Sequence, residues 1–260
     1  SQAVTGAPAN ENYAREIMQL FTLGTVQLNP NGTQVVDSMG QPVPSYTEDD
    51  VKALARVFTG WTFGDGNPAT LPRSLRPENY KVPMEAVDRF HDRTAKDFLG
   101  NHFDAITRPE VGDAGRELDR ALDIIFNHPN VGPFISQQLI QHLVTSNPSP
   151  AYVGRVAAVF NDDGSTEHAR GNLAAVVKAI LLDTEARSDD ALTGTTAGKL
   201  REPVMRLTAW ARLAKINSAS NAWAFGDTSS QSTRLAQSMG RSGSVFNFFR
   251  PGYAPPATGI

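Results

Sequence analysis

The chain has 260 residues, a formal charge of −3 and 40% hydrophobic residues, which suits one large soluble domain or two small ones burying roughly three quarters of the unfolded surface. The near-neutral charge argues against a nucleic-acid binder, and no run reaches the ~18 apolar residues that span a bilayer. The absence of cysteine removes disulfides and thiolate metal sites without deciding the compartment.

The first element is "NENYAREIMQLFTLG", residues 10–24, a helix opened by Asn10 as N-cap and closed by Gly24. At 100° per residue Tyr13, Ile17, Leu20 and Leu23 form an apolar stripe, and Glu16 falls inside it. Glu11 and Arg15, four apart, form a solvent pair on the opposite face. A carboxylate among hydrophobes must be paired, neutral or facing water. Structurally, Glu16 is a buried acid paired with an arginine, Arg201 rather than Arg56; functionally, it is a ligand or general base.

Residues 25–45 alternate β-branched residues around two turn signals, Asn31-Gly32 and Met39-Gly40, and predict a small β-hairpin insertion as the only strand pairing of note. A helix follows over 47–59, with Thr47 and Asp50 as a capping box, Tyr46 and Val51 at the staple positions, and Gly60 as its stop. Residues 61–112 are rich in Gly, Pro and Asn without a sustained period, so they read as a long loop region, functional or inserted.

Within that region "RFHDRTAKDFLG" sets His91 beside Asp92, with Lys96 following. A His–carboxylate pair can shuttle protons or bind a metal. The plainer reading is a loop held by its own hydrogen bonds. Helices resume at 113–127 (stripe Leu118, Leu122, Ile125), 132–145, 150–160, 172–186 from Asn172, and 199–216. His142 reads as a packed side chain, while His102, His128 and His168 fall at loops or helix ends.

"GKLREP", residues 198–203, opens the last helix with Lys199, Arg201 and Glu202 before Pro203. Cations at a helix N-terminus oppose the dipole, so they call for a salt-bridge partner or an anionic ligand. The tail is irregular apart from one short helix near Leu235. There "SVFNFFRPGY" packs four aromatics around Asn247 and Arg250, either as a loop sealing the core or as an aromatic groove. The expected class is all-α, one helical domain over 1–260 with long structured loops. Phosphate loops, HExxH, GxSxG and EF-hand loops are all missing.

These blocks, together with "YTEDDVKALARVFTGWTF", "ALDIIFNHPNVGPFISQQLIQHLVTSNPSPAYVGRVAAVFNDDG" and "LAAVVKAILLDTEAR", resemble the bacterial domain-of-unknown-function family numbered 1800 from about residue 8 to residue 256. The resemblance implies the later part of a longer exported protein, periplasmic or extracellular. It further implies a pairing with an exported, sulfatase-like family, the domain of unknown function numbered 1501. It supplies no catalytic assignment, cofactor or metal. Two functions remain: a non-catalytic binder of a partner protein or surface polymer, or a hydrolase using Glu16 with His91 and Asp92 near Lys199 and Arg201. Convergence at an open pocket would favour the hydrolase, and closure in ion pairs the binder.

Overall fold

The computed structural model describes residues 8–64, 81–189, 197–223, 226–253 and 255; the part of the long loop region over 65–80 lies outside them. The chain divides into two compact units, residues 1–135 and 136–260. Among the described residues the architecture is mostly helical, with two small antiparallel strand pairs.

In the first unit, α1 (Asn12–Glu16) runs straight into a π-helical turn, Ile17–Thr22. The Leu23 N–H donates to the Met18 carbonyl at 2.8 Å, five residues back, and Thr22 Oγ1 donates to the Ile17 carbonyl at 2.7 Å. The widened turn shifts the buried face. Ala14, Met18 and Leu23 are buried, spaced four and then five apart. Tyr13 is exposed, edge-on to Phe58 at 4.8 Å, and Glu16 is exposed too. A constant 100° step counted back from Leu23 therefore selects the wrong stripe. The Glu11–Arg15 pair forms at 3.1 Å and extends to Glu48 at 2.8 Å.

Residues 25–45 make three antiparallel bridges, Val26↔Pro44, Leu28↔Gln34 and Val36↔Pro42. Three short extended segments thus pair with one another, where a single hairpin was expected. Asn130 holds the entry to this insertion. Its side-chain amide donates to the Leu23 and Val26 carbonyls at 2.9 and 2.7 Å and accepts from the Leu28 N–H at 2.9 Å.

Helix α2 (Glu48–Val57) carries the expected capping box: Thr47 Oγ1 accepts the Asp50 N–H, and the Asp50 carboxylate accepts the Thr47 N–H. It is buried on more than the stripe of Val51, Leu54 and Ala55, because Ala53 and Val57 are buried as well. Small side chains let α1, α3 and a strand approach it. That strand belongs to the region read as loop, which contains β1 (Trp61–Thr62), β2 (Glu85–Ala86), β3 (Lys96–Phe98) and β4 (Asn101–Phe103). β1 pairs with β2 and β3 with β4, both antiparallel. These pairings correct the expectation that strands would be confined to 25–45; two or three residues are too few to display an alternating period. Leu99 and Gly100, both at positive φ, turn β3 into β4, and the Leu99 N–H donates to Asp50 Oδ1 at 2.6 Å. Helix α3 spans Asp113–Asn127.

α4 (Val131–Leu143) crosses from the first unit into the second. The second unit continues with α5 (Pro150–Asn161), α6 (Leu173–Leu182), α7 (Thr184–Arg187) and α8 (Pro203–Leu213). Asp183 breaks the helix expected over 172–186: its carboxylate caps α7 through the Glu185 N–H at 2.8 Å and takes two bonds from Arg155, each at 2.8 Å. Buried Tyr152 donates its hydroxyl to the Ile180 carbonyl at 2.6 Å, tying α5 to α6. No helix forms near Leu235, where the chain only turns. None of the described helices is long and apolar enough to cross a membrane.

Candidate functional site

Among the described residues, most of the side chains singled out from sequence gather in two places, one in each unit. In the first unit the cluster starts from Gly60. Its φ is +87°, and a Cβ there would lie 3.0 Å from the His91 backbone nitrogen. Only glycine lets the end of α2 touch the chain at His91. Thr59 then locks the contact: its Oγ1 donates to the Arg56 carbonyl at 2.6 Å and accepts the Asp92 N–H at 2.7 Å.

His91 lies between two acceptors. Nδ1 is 3.0 Å from the Thr59 carbonyl oxygen and Nε2 is 3.0 Å from Glu117 Oε2. A carbonyl and a carboxylate both accept, so each ring nitrogen faces an acceptor oxygen. Lys96 completes the cluster. β3 turns Lys96 and Phe98 inward and Asp97 outward. The Lys96 Nζ donates to the Asp92 and Thr94 carbonyls at 2.6 and 3.1 Å and to Glu117 Oε1 at 3.1 Å. The side chains of His91 and Lys96 are 0% exposed.

Asp92 turns away from this triad towards α2. Arg56 grips it through Nε at 3.1 Å and Nη2 at 3.3 Å, and the same guanidinium reaches the Thr94 and Ala95 carbonyls. Burial pushes the Asp92 carboxyl up, but the Arg56 and Thr94 hydrogen bonds outweigh it and bring it down to about 2. Burial likewise raises Glu117, and its bonds from His91 and Lys96 again prevail, holding it below the usual carboxylate range. Glu117 is delivered by the second turn of α3, whose start is fixed by Asp88: its carboxylate accepts the Gly112 and Ala114 N–H groups at 2.8 and 3.0 Å.

The second unit holds Lys199, Arg201, Glu202, Asn247 and Arg250. The Lys199 Nζ donates to the Pro251 carbonyl at 3.3 Å, and burial lowers its pKa against the pull of Glu202. Glu202 is buried at the start of α8 and accepts the Phe249 N–H at 3.3 Å. Phe249 stacks on Tyr253, with ring centres 4.4 Å apart. Asn247 adopts φ 67° and its carbonyl accepts the Ser244 hydroxyl. Arg250 and Arg201 are exposed, as is His142, which was expected to be packed.

Of the residues singled out from sequence, His91 and Lys96 therefore meet at one carboxylate, and Asp92 adjoins them through its backbone. Lys199 and Glu202 meet the 249–251 segment. Glu16 joins neither group. It is exposed and bonds to neither His91 nor Asp92; Arg201, its expected partner, is also exposed and belongs to the other unit, while Arg56 is committed to Asp92. Sequence reasoning missed Glu117 and Thr59, and weighed Arg56 only as a partner for Glu16. The signal for Glu117 was present: Ala114, Glu117, Ala121 and Ile125, at helical spacing, are the buried face of α3, whereas Leu122 is exposed. Among the described residues no group of three or more His, Asp or Glu is placed to hold a metal.

The family model for DUF1800, described as a protein of unknown function, matches residues 1–260. The chain belongs to this family. No curated protein and no solved structure matches it.

Proposed function

We propose that this DUF1800 chain is a non-catalytic binding or structural protein that works outside the cytoplasm, in the periplasm or beyond the cell, with a partner protein or surface polymer. The observation that carries the reading is the closure of the His91–Glu117–Lys96 cluster. Both ring nitrogens of His91 are engaged, all three Lys96 donor directions end on protein oxygens, and neither side chain reaches solvent. A general base must come within about 3 Å of the proton it removes. Here the positions a substrate would take are filled by Thr59 and Glu117. These groups act as structural ties between α2, β3 and α3.

The proposed partner is the exported sulfatase-like protein of the domain-of-unknown-function family numbered 1501. The test mixes the two purified proteins from one genome and follows them by size-exclusion chromatography with light scattering. A complex is expected, with binding retained in a His91→Gln variant that still melts cooperatively. Hydrolysis of a phosphate, sulfate or ester substrate, abolished by His91→Gln at unchanged melting temperature, would overturn the reading and restore the hydrolase.

A further inference from the structure

Helix α8 has its sides the unusual way round. Val204 is buried and Leu207, Thr208 and Ala211 are partly covered, so this face packs inward. The outward face carries Met205 (45% exposed), Trp210 (59%), Leu213 (84%) and, just past the helix end, Ile216. A helix at a protein surface ordinarily turns polar residues to water. This one turns its largest apolar side chains out, with Trp210 five residues and Leu213 eight residues beyond Met205, on one side.

The charges around this face have one sign. From Pro203 to Ser218 the sequence has Arg206, Arg212 and Lys215 and no acid. Arg206 and Arg212 are exposed within the helix and Lys215 follows it. Among the described residues none of the three has an ion-pair partner. The acids of the whole stretch from residue 197 onward are Glu202, which is buried, and Asp227, against eight lysines and arginines.

We infer that the outward face of α8 binds an anionic bilayer surface. Its Trp and Leu side chains would enter the headgroup boundary while the arginines and Lys215 meet lipid phosphates. Three features select this occupant. The face is the convex side of a helix, which a deformable bilayer accepts and a rigid partner would have to match with a groove. Trp210 lies beside cations, the combination that suits the level of the headgroups. A second copy of the chain is disfavoured, because a two-fold contact would set Arg206 against Arg206 with no acid on the helix to separate them. The mode is peripheral, since α8 has 11 residues and cannot span a bilayer. It holds whether or not the sulfatase-like pairing is correct.

The test is co-sedimentation of the purified chain with vesicles of equal parts phosphatidylglycerol and phosphatidylcholine, beside pure phosphatidylcholine, with tryptophan emission as second readout. Expected are binding to the anionic vesicles, a blue shift, and at least a tenfold weaker binding in Leu213→Glu and in Arg206→Glu/Arg212→Glu. All three positions are exposed, so melting temperatures should match the wild type. Absence of binding to anionic vesicles would overturn the inference, as would equal binding by the variants. Concentration-dependent dimerisation lost in Leu213→Glu would also overturn it, making the face a contact between copies.

Discussion

Glu16 and Glu117 pose the same problem to a reader of the sequence, and the molecule answers it in opposite ways. Both acids sit on helices with apolar residues at neighbouring spacings. Glu16 points to water, because the π-turn at Ile17–Thr22 moves Leu23 into line with Met18 and Ala14. Glu117 is the acid that goes inside, on a face it shares with Ala114, Ala121 and Ile125. Burial of α3 follows the closeness of helix packing, which small side chains permit, and not the positions of its leucines. A buried carboxylate must then be matched, and Lys96 and His91 are drawn in to match it.

The contrast is broken most severely by removing the buried acid. Glu117→Ala leaves a buried ammonium and a buried imidazole without their common acceptor. Truncating one member of a buried ion pair typically costs about 3–5 kcal/mol, and urea denaturation should show a loss of that order. Glu117→Gln keeps the shape and one acceptor oxygen and should cost less. A change in Glu117→Ala below 1 kcal/mol, judged against the usual scatter of surface substitutions, would mean that the cluster adds nothing to stability.

Next in size is Gly60→Ala. It forces a Cβ to 3.0 Å from the His91 backbone at φ +87°, and strain in that region is worth about 1–3 kcal/mol. The expected signature is a lowered melting temperature. Gly40→Ala has the same sign of φ, +76°, but no atom within 4 Å of the added Cβ. It therefore isolates backbone strain from close approach and should cost less.

Acid sharpens the comparison in a narrower window. The carboxyls of Asp92 and Glu117 are held below their ordinary values of 3.8 and 4.5. A depressed folded-state value contributes stability that is complete above the unfolded value and fades as pH falls towards the folded one. For Asp92 the loss should run from about pH 4 down to about 2. Melting temperature followed from pH 7 to pH 2 should fall less steeply in Asp92→Asn than in the wild type. The variant starts lower and has less to lose. Parallel curves would contradict the Arg56–Asp92 bond as the source.

Much of this was legible from local chemistry. The α2 capping box, the Asn172 cap and the Glu11–Arg15 pair follow from contacts within four residues, which a sequence displays directly. His91, Asp92 and Lys96 stood out by type and spacing. Their partners did not, since Glu117 is 26 residues from His91 and Arg56 is 36 from Asp92. The π-turn is invisible to a constant angular step. The three-way pairing over 25–45 depends on Asn130, about a hundred residues away. Leu99 at φ 48° is equally hidden, because the Asp50 bond that accompanies this turn comes from another element.

The smallest effect belongs to Glu16, and it is the most decisive for how the first helix was read. Had the acid been buried against an arginine, Glu16→Ala would have cost as much as Glu117→Ala. With the side chain in water, the change removes no buried charge. Alanine is also the better helix former, by a few tenths of a kcal/mol. Surface substitutions of this kind stay within about 0.5 kcal/mol. The two alanine variants, measured side by side in urea, should thus differ by several-fold in lost stability although each deletes one glutamate from one helix. Met18→Ala completes the argument from the apolar side. Met18 is fully buried where the constant-step stripe would leave it outside, so its truncation should cost about 2–5 kcal/mol, while Tyr13→Ala, at an exposed ring, should cost clearly less. If Tyr13→Ala proved the costlier of the two, the face shift at the π-turn would be wrong.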